Sequence, residues 1–464
     1  MKENNQAKNN NAWIRMNEEE TTAAYNLGNQ YVDFLNRSKT VRETINYIGD
    51  IAMKNGFIRW DSSQPIQPGQ KLFIEQKGKI GALIIVGTDP LEQGINMVVS
   101  HIDAPRLDLK PRPLFESDEL AFLKTHYYGG IKKYQWLAIP LALHGIFIKP
   151  DGTTIKITIG ENPDDPVFTI ADLLPHLAKD QMEKKMSEAI KGENMNALTG
   201  SRPEDDQDAK NPVKEYVLKL LQEKYDIDED DFTSAELELV PALPARDVGL
   251  DRSMTGAYGQ DDRVCAFTSL QAILQTGSVK RTAMCFFADK EEIGSTGNTG
   301  LQSLLLENLI TDLMHGFGQA DYYKVRQCLA NSSALSADVN AAIDPNYPEV
   351  FEKMNNSFLS HGVVLTKYTG SRGKYDSNDA NPEYLARLRQ LFARHEVIWQ
   401  VGELGKIDIG GGGTVAQYLA RYGMEVVDCG PAVLGMHSPF EVTSKADLYM
   451  SYKAYRAFLQ EFSF

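Results

Sequence analysis

Cysteine, long apolar runs and surplus positive charge are all scarce in this chain. Its four cysteines (Cys265, Cys285, Cys328 and Cys429) are scattered, with no CxxC pair. That excludes a disulfide framework or a thiolate zinc cluster, and those in apolar surroundings read as small core residues. Lys and Arg total 48 against 63 Asp and Glu, a formal net charge of −15. No basic face is available for a phosphate backbone, so nucleic acid is not an expected partner. The longest apolar stretch, Trp136 to Ile148, is interrupted by Pro140 and His144. A membrane helix needs about 20 apolar residues, so no membrane association is expected. Residues 1–11 are polar, without the apolar core of a secretory signal. Together these absences predict a cytoplasmic protein. Internal repeats, coiled-coil heptads and low-complexity tracts are absent as well.

What is present suits a large globular protein. At 464 residues the chain exceeds one comfortable core, so two domains are expected. Helices are predicted over Thr21 to Leu35 and from Thr40, where Thr40 and Glu43 form a capping-box pattern. Strand-like runs follow at Lys71 to Glu75, Ile80 to Val86 and Ile95 to Ser100. From about Leu107 to Pro244 short β-like runs (Gly145 to Lys149, Thr153 to Ile159, Ala235 to Val240) alternate with polar linkers. Lys191 to Pro212 reads there as an exposed loop and Val213 to Lys224 as a helix. Beyond Asp261 strand and helix alternate: helices at Val264 to Leu274, Gly300 to Met314, Tyr384 to Phe392, Thr414 to Arg421 and Ser444 to Gln460, strands at Thr282 to Ala288, Ala334 to Ser336 and Val426 to Val427. This pattern predicts an α/β protein with a doubly wound, mixed sheet. The catalytic domain would span residues 1–106 and 247–464, interrupted by a β-rich domain inserted at 107–246.

Five short segments, most of them after an apolar run, carry metal-capable side chains: Ser100-His101-Ile102-Asp103, Gln260-Asp261-Asp262-Arg263, Asp289-Lys290-Glu291-Glu292, Ser336-Ala337-Asp338 and Met436-His437-Ser438. Each alone has an ordinary explanation. His101 with Asp103 could be a hydrogen-bonded surface histidine; Asp261-Asp262 could cap the following helix. Glu291-Glu292 could be two solvated acids. As a set, two imidazoles and several carboxylates suit a pair of divalent cations sharing one carboxylate. One of the adjacent glutamates is then left to take a proton from an activated water, and a His-x-Asp pair can fix the tautomer of a ligating ring.

The segments Ser100–Pro105, Gly259–Arg263, Asp289–Ser295, Ser336–Tyr347 and Gly435–Glu441 resemble, in the same order, those of the aspartyl aminopeptidase and vacuolar aminopeptidase I family, in a bacterial-type form. The likeness runs over most of the chain, including the position of the insert. It implies a metal-dependent aminopeptidase releasing N-terminal residues from peptides, with two divalent ions per subunit, zinc foremost and cobalt or manganese as alternatives. By that resemblance His101 and Asp338 hold one ion, Glu292 and His437 the other, and Asp261 bridges them. Glu291 is the general base and Asp103 orients His101. The insert is implied to be a dimerisation domain, with dimers assembling into a tetrahedral dodecamer. His176 resembles a histidine that reaches a neighbouring subunit's site, and Lys367 or Tyr375 a substrate-contacting residue. Asp262 stands where the eukaryotic aspartyl enzymes have asparagine, which bears on substrate preference. Gly410 to Gly413 lacks the lysine and spacing of a P-loop and reads as a tight turn approaching the substrate. Two other readings stay open: a dinuclear dipeptidase or deacylase on the same scaffold, and a non-catalytic scaffold protein that kept the shell.

Overall fold

The computed structural model describes residues 10–205, 208–319 and 321–463. The chain divides into two compact units. One comprises the described residues up to Asp103, Ala245–Met436 and those from Glu441 onward; the other comprises Ala104–Pro244 with His437–Phe440.

The first unit is built on a nine-stranded mixed sheet. Its strands run across the sheet in the order Ile58–Arg59, Lys71–Gln76, Ile80–Ile85, Ala283–Ala288, Asn96–His101, Ser333–Ser336, Glu425–Gly430, Val363–Thr366 and Trp399–Val401. The central strands are apolar almost throughout because both faces are covered. Alternate side chains serve opposite layers, as the period of two requires. Val98, Cys285 and Phe287 join a core with Phe34, Phe267 and Phe458. Met97, Val99, Met284 and Phe286 join a second core with Ile310, Leu313 and Leu419. The first layer contains the helices Glu18–Arg37, Gln260–Leu274 and Lys445–Glu461; the second contains Leu305–Gly316, Tyr322–Asn331 and Ala416–Ala420. All four cysteines are buried and free.

The capping signal read at Thr40 acts as the sequence predicts. Thr40 caps Val41–Lys54 in a complete capping box with Glu43. The helix read at Gly300 begins only at Leu305, because the residues before it fold into turns in which the N–H groups of Gly300, Gln302 and Ser303 donate to the carbonyls of Gly297, Ser295 and Gly300. Among the described residues no helix is long and apolar enough to cross a membrane.

The second unit is a six-stranded sheet in the order Thr154–Ile159, Leu141–Ile148, Ala235–Pro241, Arg106–Ser117, Leu120–Tyr128 and Asn196–Gly200. Every pairing in it is antiparallel. Asn196–Gly200 lies inside the stretch expected to be loop. It ends the sheet, paired along Leu120–Tyr128 on one side and by a single bridge between Leu198 and Thr169 on the other, so few apolar groups suffice.

Candidate active site

Three neighbouring strands set the geometry. Ala283–Ala288, Asn96–His101 and Ser333–Ser336 are adjacent and parallel. Each therefore ends at the same sheet edge, where open α/β sheets gather their chemistry. His101 ends the middle strand, Asp338 follows one neighbour by two residues, and Glu291-Glu292 follow the other by three and four. Asp261 and Asp262 enter from the start of Gln260–Leu274, where their backbone leaves helical geometry (φ −79°, ψ 106° and φ −116°, ψ 28°). The peptide bond between them is cis.

These groups converge. His101 Nε2 lies 3.2 Å from Asp261 Oδ1 and 4.0 Å from Glu291 Oε2. Ligand atoms of His101, Asp261 and Asp338 all lie within 4.8 Å of one another, as do those of His101, Glu291 and Glu292. Asp103 ties the cluster together from behind. Its carbonyl and carboxylate stand 3.0 and 3.3 Å from His101 Nδ1. Its two carboxylate oxygens accept the backbone N–H groups of Glu291 and Glu292 at 3.1 and 3.2 Å. One buried aspartate thus orients an imidazole and the turn carrying both glutamates.

The electrostatics call for positive charge. Asp103 and Asp262 are fully buried and Asp261 is 4% exposed. Burial, then neighbouring acids, pushes the carboxyls of Asp262 and Asp338 well above the usual range, although His101 pulls both down. Burial opposes charge on His101, but hydrogen bonds with Asp103 and Asp261, reinforced by Glu291, outweigh it and raise its pKa. Packing several carboxylates around one imidazole is costly unless cations neutralise them, so the donor set fits divalent metal.

His437 sits in the turn between Ala432–Leu434 and Glu441–Ser444, with φ 65° and its Nδ1 2.8 Å from the Gly130 carbonyl. Lys367 follows the strand Val363–Thr366 and is ion-paired with Asp379, which also holds Lys374. Tyr375 is 67% exposed. His176 lies in a one-turn 3₁₀ segment, Pro175–Leu177, with no buried residue. The glycines at 410 and 411 serve chain packing. A Cβ at either would meet the carbonyl of Leu404 or Gly370 within 2.0 Å, which explains their type without a substrate. The sequence reading gave no role to Glu441, whose carboxylate accepts the Asp261 N–H at 3.0 Å. Its place at the end of the Gly435–Glu441 segment was the available signal.

A doubly wound sheet with an acid–imidazole cluster at its carboxyl edge defines a metal-dependent hydrolase. Residues 34–459 match the family model described as aminopeptidase I zinc metalloprotease (M18). A probable M18 family aminopeptidase 1 of Clostridium acetobutylicum is 49% identical over 97% of both chains. The crystal structure of an M18 aminopeptidase from Thermotoga maritima superposes with a TM-score of 0.92 at 46% identity, over 97% of this chain and 99% of that one. The structure of the Saccharomyces cerevisiae mApe1 dodecamer shares the fold, with a TM-score of 0.73 at 22% identity over 93% and 95% of the two chains. The chain belongs to the M18 family and is a metal-dependent aminopeptidase.

Proposed function

We propose that this aminopeptidase works with two divalent cations, zinc foremost and cobalt or manganese as alternatives, held as the family resemblance implies. His101 and Asp338 take one, Glu292 and His437 the other, and Asp261 both. The convergence of His101, Glu291, Glu292 and Asp338 at the ends of three adjacent parallel strands, with Asp261 beside them, carries this reading. When bound, the cations supply Lewis acidity and favour ionisation of water. Glu291 takes the proton of the attacking water and returns it to the departing amine. Asp103 holds the His101 ring and the N–H groups of the glutamate turn, so that base and imidazole keep a fixed relation. Lys367 and Tyr375 are proposed to meet the peptide.

The inserted unit is proposed to dimerise, with His176 crossing to a neighbouring site and dimers closing into a tetrahedral dodecamer. Exposed apolar side chains flanking His176 (Leu173, Leu174, Leu177, Met182 and Met186) support an interface there. The dodecamer of the yeast relative supports the larger assembly. Four free cysteines are in keeping with a reducing, cytoplasmic setting.

The test is a panel of peptides with free and acylated N-termini, assayed after chelation and after readdition of each ion. Free-amine peptides should lose one residue at a time, with activity abolished by chelation and restored by metal. Cleavage of acylated substrates at equal rates would favour the deacylase reading instead. No hydrolysis at all with restored metal would favour the scaffold reading.

A further inference from the structure

Glu441 opens the strand Glu441–Ser444 and is 1% exposed. A carboxylate so buried is costly unless hydrogen-bonded, and this one is used. Its Oε2 accepts the backbone N–H of Asp261 at 3.0 Å. Its own carbonyl accepts from Gln260 Nε2 at 2.6 Å, and the same amide donates to the Thr255 carbonyl at 3.0 Å. Glu441 also stands opposite Ala257 in the antiparallel pairing of Met254–Ala257 with Glu441–Ser444, two strands of a five-stranded sheet. Side chain and main chain of one residue therefore brace the Gln260–Asp261 segment. The brace is needed because Asp261 lacks helical dihedrals and stands at the helix start, where N–H groups find no carbonyl in the preceding turn. On the far side Asp262 Oδ2 accepts the N–H of His101 at 3.3 Å, so the segment is pinned at both ends.

We infer that Glu441 is a positioning residue, which sets the direction of the Asp261 carboxylate and thereby the affinity of the site for its cations. The inference rests on the reading of Asp261 as the shared ligand. What matters is reach. A glutamine retains a carbonyl oxygen at the same distance, whereas aspartate keeps the charge but retracts the acceptor by about 1.5 Å, one carbon–carbon bond.

The experiment titrates Zn²⁺ into chelator-stripped, full-length protein by calorimetry, and Co²⁺ by its visible absorption. It compares wild type, Glu441→Gln, Glu441→Asp, Glu441→Ala and Asp261→Asn. Partners that orient a ligand are worth about 10–100-fold in metal affinity. Glu441→Asp and Glu441→Ala should lose that much for at least one cation and show an altered cobalt spectrum. Glu441→Gln should stay near wild type in both readouts. If Glu441→Ala does not fold, the Asp and Gln variants decide between reach and charge. Wild-type affinity in Glu441→Asp, or an equal loss in Glu441→Gln, overturns the inference while leaving the site reading intact, provided that Asp261→Asn loses metal. Wild-type affinity and spectrum in Asp261→Asn would overturn the shared-ligand reading and the inference with it.

Discussion

At the scale of single residues, we propose different tasks for the two adjacent glutamates. Glu291 Oε2 stands 4.0 Å from His101 Nε2, and both glutamates take their backbone orientation from Asp103. An oxygen of Glu292 and one of Asp261 lie within 4.8 Å, close enough to share a cation. Glu291→Gln should therefore keep its metal content, measured by atomic absorption, while kcat falls about 10²–10⁴-fold. Glu292→Gln should instead lose metal. Equal metal loss in both variants would mean that base and ligand have been exchanged. Most of the acids and imidazoles proposed for this site were singled out because they follow an apolar run and, as a set, suit divalent cations. Glu441 was not, because a buried acid hydrogen-bonded to a backbone N–H leaves no trace in spacing or periodicity.

At the scale of elements, the central strands were readable from apolar runs such as Met284 to Phe287, and Thr40 marked its helix through the capping box. The long strand Arg106–Ser117 escaped notice, since its alternation is broken by Lys110, Pro111 and Pro113 and its register with Leu120–Tyr128, also missed, shifts between Leu109 and Leu114. The helix Tyr322–Asn331 escaped too, because its polar face outweighs the few positions it buries, Val325, Cys328 and Leu329. Non-local ties are the part that sequence hides most completely. Asp447, in the first turn of Lys445–Glu461, accepts the backbone N–H groups of Ser360 and Gly362, both at 2.7 Å, just before the strand Val363–Thr366. Asp447→Asn offers one acceptor where two are needed and leaves a buried N–H facing an amide. Chemical denaturation should show a loss of about 1–3 kcal/mol with the metal site intact. An unchanged midpoint would mean that water or a backbone shift replaces the missing acceptor.

At the scale of the whole molecule, the sequence changes texture after Pro113 and none of the metal-capable segments falls between Leu107 and Pro244, which is the ground for reading an insert there; the second compact unit comprises Ala104–Pro244 with His437–Phe440. What the insert does depends on copies of the chain that a sequence does not display. Mixing His176→Phe with Glu291→Gln under subunit exchange should restore part of the activity, because one site of each mixed dimer would have both residues intact. Confirmed exchange without activity would mean that His176 does not act across subunits. The central claim concerns the metals themselves, and anomalous diffraction from zinc-loaded crystals tests it most directly. Two peaks about 3.5–4 Å apart are expected per subunit, with Asp261 touching both, His101 and Asp338 on one, and Glu292 and His437 on the other. A single peak, or a second peak bound by none of these side chains, would contradict the two-metal account.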